Sequence, residues 1–140
     1  MLVQSKIYDY ITKYKPVWGF VVPDNCPPQD IDVPTNQGFY RLSRKKNSYN
    51  DKDFLTKKQK NPDDPWGDLI IYAVGLSLVL GLEDAKAEIK LPKFKGFKGI
   101  IELVLNPTDG VVKQTGKYKR HYTFWFTQAF STDNLKMIEL

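Results

Sequence analysis

Proline and glycine limit how long any regular element of this chain can run. Nine of each are present among 140 residues, and many fall in clusters. A proline offers no backbone N–H and holds φ near −65°, so it ends helices and is poorly tolerated within a sheet. Pro16 closes a first amphipathic helix predicted over residues 2–14, where Leu2, Val3, Ile7, Tyr10, Ile11 and Tyr14 recur at three-four spacing. A short apolar run at 18–22 follows. Pro23, Pro27, Pro28 and Pro34 then make residues 23–37 a Pro-rich loop, expected to hold neither a helix nor a ladder.

Between the remaining breaks only short elements fit. Residues 39–42 read as a strand, and 51–59 as a helix capped by Asn50 or Asp51 with Phe54 and Leu55 facing inward. Pro62, Pro65 and Gly67 place a turn at 61–67. Residues 69–74 suit a buried helix or strand, and 76–80 a buried strand. Residues 83–89 read as a helix whose acidic first turn complements its dipole. A basic and aromatic turn at 93–98 leads to a strand at 100–105, a tight turn at 106–110 and a strand at 111–115. Residues 122–126 alternate as a half-buried strand does, and 133–140 read as a last strand or a ragged helix. The expectation is one α+β domain spanning residues 1–140, with a small antiparallel or mixed sheet and about three helices.

The hydrophobic fraction of 41% and aromatic fraction of 14% are enough to offset the entropy of folding by burial. The longest apolar stretch, 69–82, is interrupted by Tyr72, Gly75, Ser77 and Gly81 and falls short of the about 20 residues a membrane helix needs. The start of the chain mixes Lys6, Asp9, Lys13 and Lys15 among its apolar positions, unlike a secretory signal, so a cytoplasmic location and no membrane partner are expected. Cys26, alone and flanked by prolines, permits neither a disulfide nor a thiolate-rich zinc site. With one histidine in the chain, no metal is expected. A net charge of +5 favours anionic partners.

Three pieces are left to carry chemistry. Arg41 stands in the otherwise apolar stretch Phe39, Tyr40, Leu42, and a cation there needs a reason. It fits a salt bridge to Asp68 or Glu102 and equally an anion site, where its planar fork would bond two oxygens at once. Ser77 follows Gly75 on an apolar strand; a bond to a nearby carbonyl and a place in a crevice both suit it. His121, the only histidine, sits among Lys117, Tyr118, Lys119, Arg120, Tyr122, Phe124 and Trp125. One reading is a basic loop entering a core strand. The other makes His121 a hydrogen-bond donor or general acid, with Arg120 or Lys119 on a phosphate and Tyr118 or Trp125 stacked on a ring. No Walker-type loop is present, since Gly96-Phe97-Lys98-Gly99 lacks the spacing and the closing Lys-Ser/Thr.

Phe39-Tyr40-Arg41-Leu42, Asp53-Phe54-Leu55, Gly75-Leu76-Ser77-Leu78, Val112-Lys113-Gln114-Thr115 and His121-Tyr122-Thr123-Phe124-Trp125 together resemble small bacterial proteins of mobile or defence-type gene clusters, toxin-antitoxin systems among them. A strand-borne Arg followed by Gly-x-Ser running into a helix is also similar to the first two motifs of the ADP-ribosyltransferase fold. That resemblance implies NAD as cofactor, Arg41 and Ser77 as binding residues with Tyr40 beside them, and a strand carboxylate, here Glu102, acting with His121 in catalysis. The Gln/Ser-x-Glu third motif of that family is not found in the sequence.

Three functions follow as expectations. The first is a nucleotide-handling, toxin-like enzyme built on catalytic His121 and Glu102, with Arg41, Ser77, Tyr40, Arg120 and Trp125 binding the ligand. It requires Arg41, Ser77 and His121 to converge within the span of a nucleotide. The second is a basic RNA- or DNA-binding module or metal-independent ribonuclease using Arg44, Lys45, Lys46, Lys57, Lys58, Lys117, Lys119 and Arg120. The third is a non-enzymatic interaction or immunity protein whose Pro-rich loop docks on a protein partner.

Overall fold

In a computed structural model describing Pro28, residues 30–133 and residues 135–140, six strands join in one antiparallel sheet. The expected helix at 2–14, the apolar run at 18–22 and Cys26 lie outside the described residues. The strands are β1 (Gln37–Ser43), β2 (Leu76–Leu80), β3 (Gly99–Leu105), β4 (Gly110–Gln114), β5 (His121–Phe126) and β6 (Lys136–Ile138), in the spatial order β4-β5-β2-β1-β3-β6. Among the described residues three α-helices accompany them: α1 (Lys57–Lys60), α2 (Ile70–Ala73) and α3 (Leu82–Ile89). The architecture is α+β, and among the described residues no helix is long and apolar enough to cross a membrane.

Two expectations about local structure change. The helix read over 51–59 is two pieces, a 3₁₀ turn at Asp51–Phe54 and α1, each closed by its own capping box. Asn50 accepts from the first and Asp53 reciprocates; Thr56 and Gln59 do the same for the second. Two start signals six residues apart leave no room for one helix, and Leu55 between them is extended at φ −72°, ψ 132°. The Pro-rich loop also touches the sheet. Asp32 and Val112 exchange both backbone hydrogen bonds, at 2.7 and 2.9 Å, and Asn36 N–H donates to the Leu105 carbonyl at 2.8 Å, because the positions between the prolines keep their N–H groups.

Strand alternation gives the sheet two unlike faces. On one, Phe39, Leu76, Leu78, Ile101, Leu103, Leu105, Val112 and Phe124 form the main core with Phe54, and Phe130 seals Phe124 edge-on at 5.0 Å. Among the described residues, the opposite face is covered at two places. At one, α3 lays the fully buried Ala85 on Tyr40, Val79 and Ile100. At the other, Ile70, Ile71 and Val74, in and beside α2, cover Val111 and Trp125. Gly81, at φ +99°, makes the reversal from β2 into α3.

Between these two coverings the sheet stays polar. Register puts Ser77 opposite Thr123, Thr123 opposite Lys113, and Val79 opposite His121. A polar saddle therefore runs over β2 and β5 between α3 and α2.

Candidate functional site

The β4–β5 connection folds back on itself and fixes His121. Gln114 Nε2 donates to the carbonyls of Thr115, Gly116 and Tyr118 at 3.2 to 3.3 Å, and Thr115 N–H donates to the His121 carbonyl at 3.0 Å. The imidazole Nδ1 lies 3.2 Å from the Thr115 carbonyl and 3.1 Å from Thr115 Oγ1, which in turn meets Thr123 Oγ1 at 2.7 Å. A carbonyl only accepts, so this contact assigns the proton of the neutral ring to Nδ1. The Nε2 lone pair is then left without a partner among the described residues. Burial pushes His121 below its ordinary 6.5; the Thr115 carbonyl opposes it, and Lys57 and Lys93 add smaller downward pushes. The ring is a neutral base at pH 7.

His121 is the meeting point of three adjoining hollows of about 440, 540 and 530 Å³. Glu88, Leu91, Lys93, Phe94 and Tyr118 border the first. Arg44, Lys57, Lys60, Ser77, Glu88 and Lys93 are among those bordering the second. Lys57, Trp66, Leu69, Tyr72, Ser77, Thr115 and Thr123 border the third. Each hollow alone has the volume of a small-molecule site. Gly75 permits the close approach of the chain to β5 at one wall, since a Cβ there would fall 2.5 Å from Thr123 Cγ2.

The cleft is cationic. None of Arg44, Lys57, Lys60 or Lys93 forms an ion pair with any other described residue; the pairs present are Lys86–Glu83, Lys113–Asp30 and Arg120–Asp84. Burial and then the charges of Arg41 and Arg44 push Lys60 below its ordinary value, with Asp53 opposing. The Asp53 carboxylate is itself engaged by Ser43 Oγ and by the N–H of Arg44 and of Asn50. Arg44 rests on the Phe97 ring at 4.6 Å, and Lys93 on Phe94 at 5.1 Å, so both cations are held against aromatic faces.

Arg41, Ser77, Tyr40 and His121 all border the second hollow, but register puts Arg41 on the Phe39–Ile101 face and His121 on the Val79 face, and they do not contribute alike. The Arg41 guanidinium donates to the carbonyls of Asp53, Ser77 (2.8 Å) and Leu55 (3.3 Å). Its expected salt bridge to Asp68 or Glu102 is replaced by this carbonyl cage, and little of its fork remains for a ligand. Burial pulls it down to about 10, opposed by Asp53, so it stays charged at neutral pH. Ser77 is half-buried, and its Oγ has no partner among the described residues; it borders the cleft rather than bonding a nearby carbonyl.

Tyr40 is 9% exposed and spends its hydroxyl on Glu102 Oε2 at 3.1 Å. Glu102 pairs across to Tyr40 and Lys136 on β3 and borders none of the three hollows, so the structure does not bring it to His121. Arg120 also stands outside, at 3.5 Å from Asp84. Trp125 is 1% exposed and donates to the Ile71 carbonyl at 2.7 Å. Its expected stacking on a ligand ring is corrected by burial: it is a core residue under α2.

No protein-family model, curated protein or solved structure matches this chain. The site therefore rests on its own geometry. Glu88, Lys93, Phe94, Thr115 and Thr123 belong to it and were not singled out from the sequence. Glu88 had a signal: it shares helical spacing with Leu82, Ala85 and Ile89, the face that packs on the sheet. One of its oxygens, Oε2, is buried without a partner among the described residues, and burial raises its carboxyl above the ordinary range, with Lys93 opposing.

Proposed function

We propose that this protein handles nucleotides in the His121 cleft, holding their phosphates with Lys57, Lys60, Lys93 and Arg44. The observation that carries this reading is the crowding of four cations around His121, with none of them ion-paired and the ring's Nε2 unpartnered among the described residues. Gathering like charges in a partly buried space is costly, and a polyanion offsets that cost. Aromatic and apolar groups at both ends of the cleft, Trp66 and Tyr72 on one side and Phe94 and Tyr118 on the other, provide surfaces for bases.

Thermal unfolding in the presence of ATP, GTP, NAD and a short single-stranded RNA tests the proposal. A ligand at 100 times its Kd stabilises the folded state by about 2.7 kcal/mol, easily seen as a rise in Tm. Lys57→Ala combined with Lys93→Ala is expected to weaken binding of the responding ligand at least tenfold. A flat Tm with all four ligands at millimolar concentration overturns the reading.

A further inference from the structure

The cleft is longer than one nucleotide requires, and its parts are ordered. His121 lies where the three hollows meet, with Lys57 bordering it on one side and Lys93 on the other. Apolar lobes flank this cationic centre. A ligand matching that order carries a base, a central phosphate and a second base, with strand continuing at either end. A dinucleotide step of a single-stranded nucleic acid has this form.

A second group stands ready beside His121. Glu88 reaches the cleft from α3, while His121 rises from the floor on β5, and the two border the same two hollows together with Lys93. The unpartnered Glu88 Oε2 calls for a hydrogen-bonding partner that the described residues do not supply. A carboxyl that burial raises holds its proton more readily than an ordinary glutamate does and so has one to give to a phosphate ester; an imidazole with an unpartnered Nε2 accepts one. Titratable groups whose surroundings favour opposite proton roles are the usual mark of an acid–base pair.

We infer that the protein cleaves single-stranded RNA by transfer of the phosphate to the adjacent 2′-oxygen, with His121 as general base and Glu88 as general acid. This inference rests on the nucleotide-handling reading above. His121 Nε2 takes the proton of the 2′-hydroxyl, and the freed O2′ attacks phosphorus. As the O2′–P bond forms, the P–O5′ bond breaks and the leaving O5′ takes the proton of the Glu88 carboxyl. The products are a 2′,3′-cyclic phosphate and a 5′-hydroxyl. The imidazolium and carboxylate left behind return to their starting states by proton exchange with water. Lys57 and Lys93 stabilise the charge that gathers on the phosphoryl oxygens. The reaction needs no oxidant, reductant or second substrate.

The experiment uses the full chain and a fluorescent single-stranded oligoribonucleotide, with a second oligonucleotide of the same sequence that is 2′-deoxy throughout. The expected result is cleavage of the RNA to ends bearing 2′,3′-cyclic phosphate and 5′-hydroxyl, with the deoxy strand bound but intact. His121→Asn and Glu88→Gln, purified identically and matched to the parent in Tm and in binding of the deoxy strand, should each lower the rate at least 100-fold. His121→Gln and Glu88→Asp serve where either first choice does not fold. Equal cleavage of the deoxy strand, cleavage undiminished in the variants, or binding without cleavage overturns the inference; the last of these leaves the nucleotide-handling reading standing. Absence of binding to any nucleotide removes both.

Discussion

His121 owes its character to what surrounds each nitrogen. The Thr115 carbonyl fixes Nδ1–H, and burial with Lys57 and Lys93 disfavours a second proton. Protonation is therefore easier in the unfolded chain than in the folded one, where the value lies below 6.5. A histidine depressed in this way leaves stability intact above the unfolded value and erodes it as pH falls through 6.5 toward the folded value. Lys57 and Lys93 are the cations facing the ring, and Glu88 is the carboxyl that shares its hollows. His121→Asn carries no such charge. The stability advantage of the parent over His121→Asn should shrink on moving from pH 8 to pH 5, measured by urea unfolding of both proteins at each pH. An advantage that is constant or grows on acidification would show that the ring is not held neutral.

At the scale of elements, the cleft exists because β1 and β2 part company. Their ladder has two pairs only, Phe39 with Leu80 and Tyr40 with Val79, and the Arg41 guanidinium occupies the space beyond. By bonding carbonyls of the Asp51–Phe54 turn, the following Leu55 and Ser77 on β2, Arg41 ties three segments at the cleft wall. Arg41→Met fills similar volume but leaves those carbonyls without their charged donor. A loss of about 2–4 kcal/mol is expected in urea unfolding, given about 1.5–3 kcal/mol for each charged hydrogen bond and incomplete additivity. A loss under about 1 kcal/mol would mean the cage is not a stabilising tie. The elements themselves were largely legible. The strand read at 76–80 coincides with β2, that at 100–105 lies within β3, and the helix at 83–89 is α3 short of one residue, because a short apolar run and an acidic first turn are local signals. The site was legible only in part. His121, Ser77 and Arg41 stood out by type, whereas Glu88 and Lys93 come to His121 through the packing of α3 and the turn after it. For Trp125 the core-strand alternative holds and the stacking one does not, because which aromatic of an aromatic run is buried depends on α2 covering it.

Taken whole, the molecule keeps its charge and its greasiness apart. One sheet face holds the main aromatic and aliphatic core, and on the other, among the described residues, two small helical units flank the saddle. The net charge of +5 would matter little if it were spread evenly. Here Arg44, Lys57, Lys60 and Lys93 border one hollow, where low-dielectric walls strengthen their field. Such a focus binds a polyanion by releasing its counterions, so affinity falls as salt rises. For a single strand the slope of log K against log salt is about −0.7 per neutralised phosphate, which gives about −2 to −3 if three or four of these cations engage. Fluorescence anisotropy with a 2′-deoxy oligonucleotide between low and moderate salt measures it without interference from cleavage. Replacing Lys57 and Lys93 by alanine should make the slope shallower by about 1.4, two contacts' worth. A slope near zero, or one unchanged in that double variant, would place the binding surface away from His121, whereas a shallower slope locates it in the cleft because both lysines border that histidine from opposite sides.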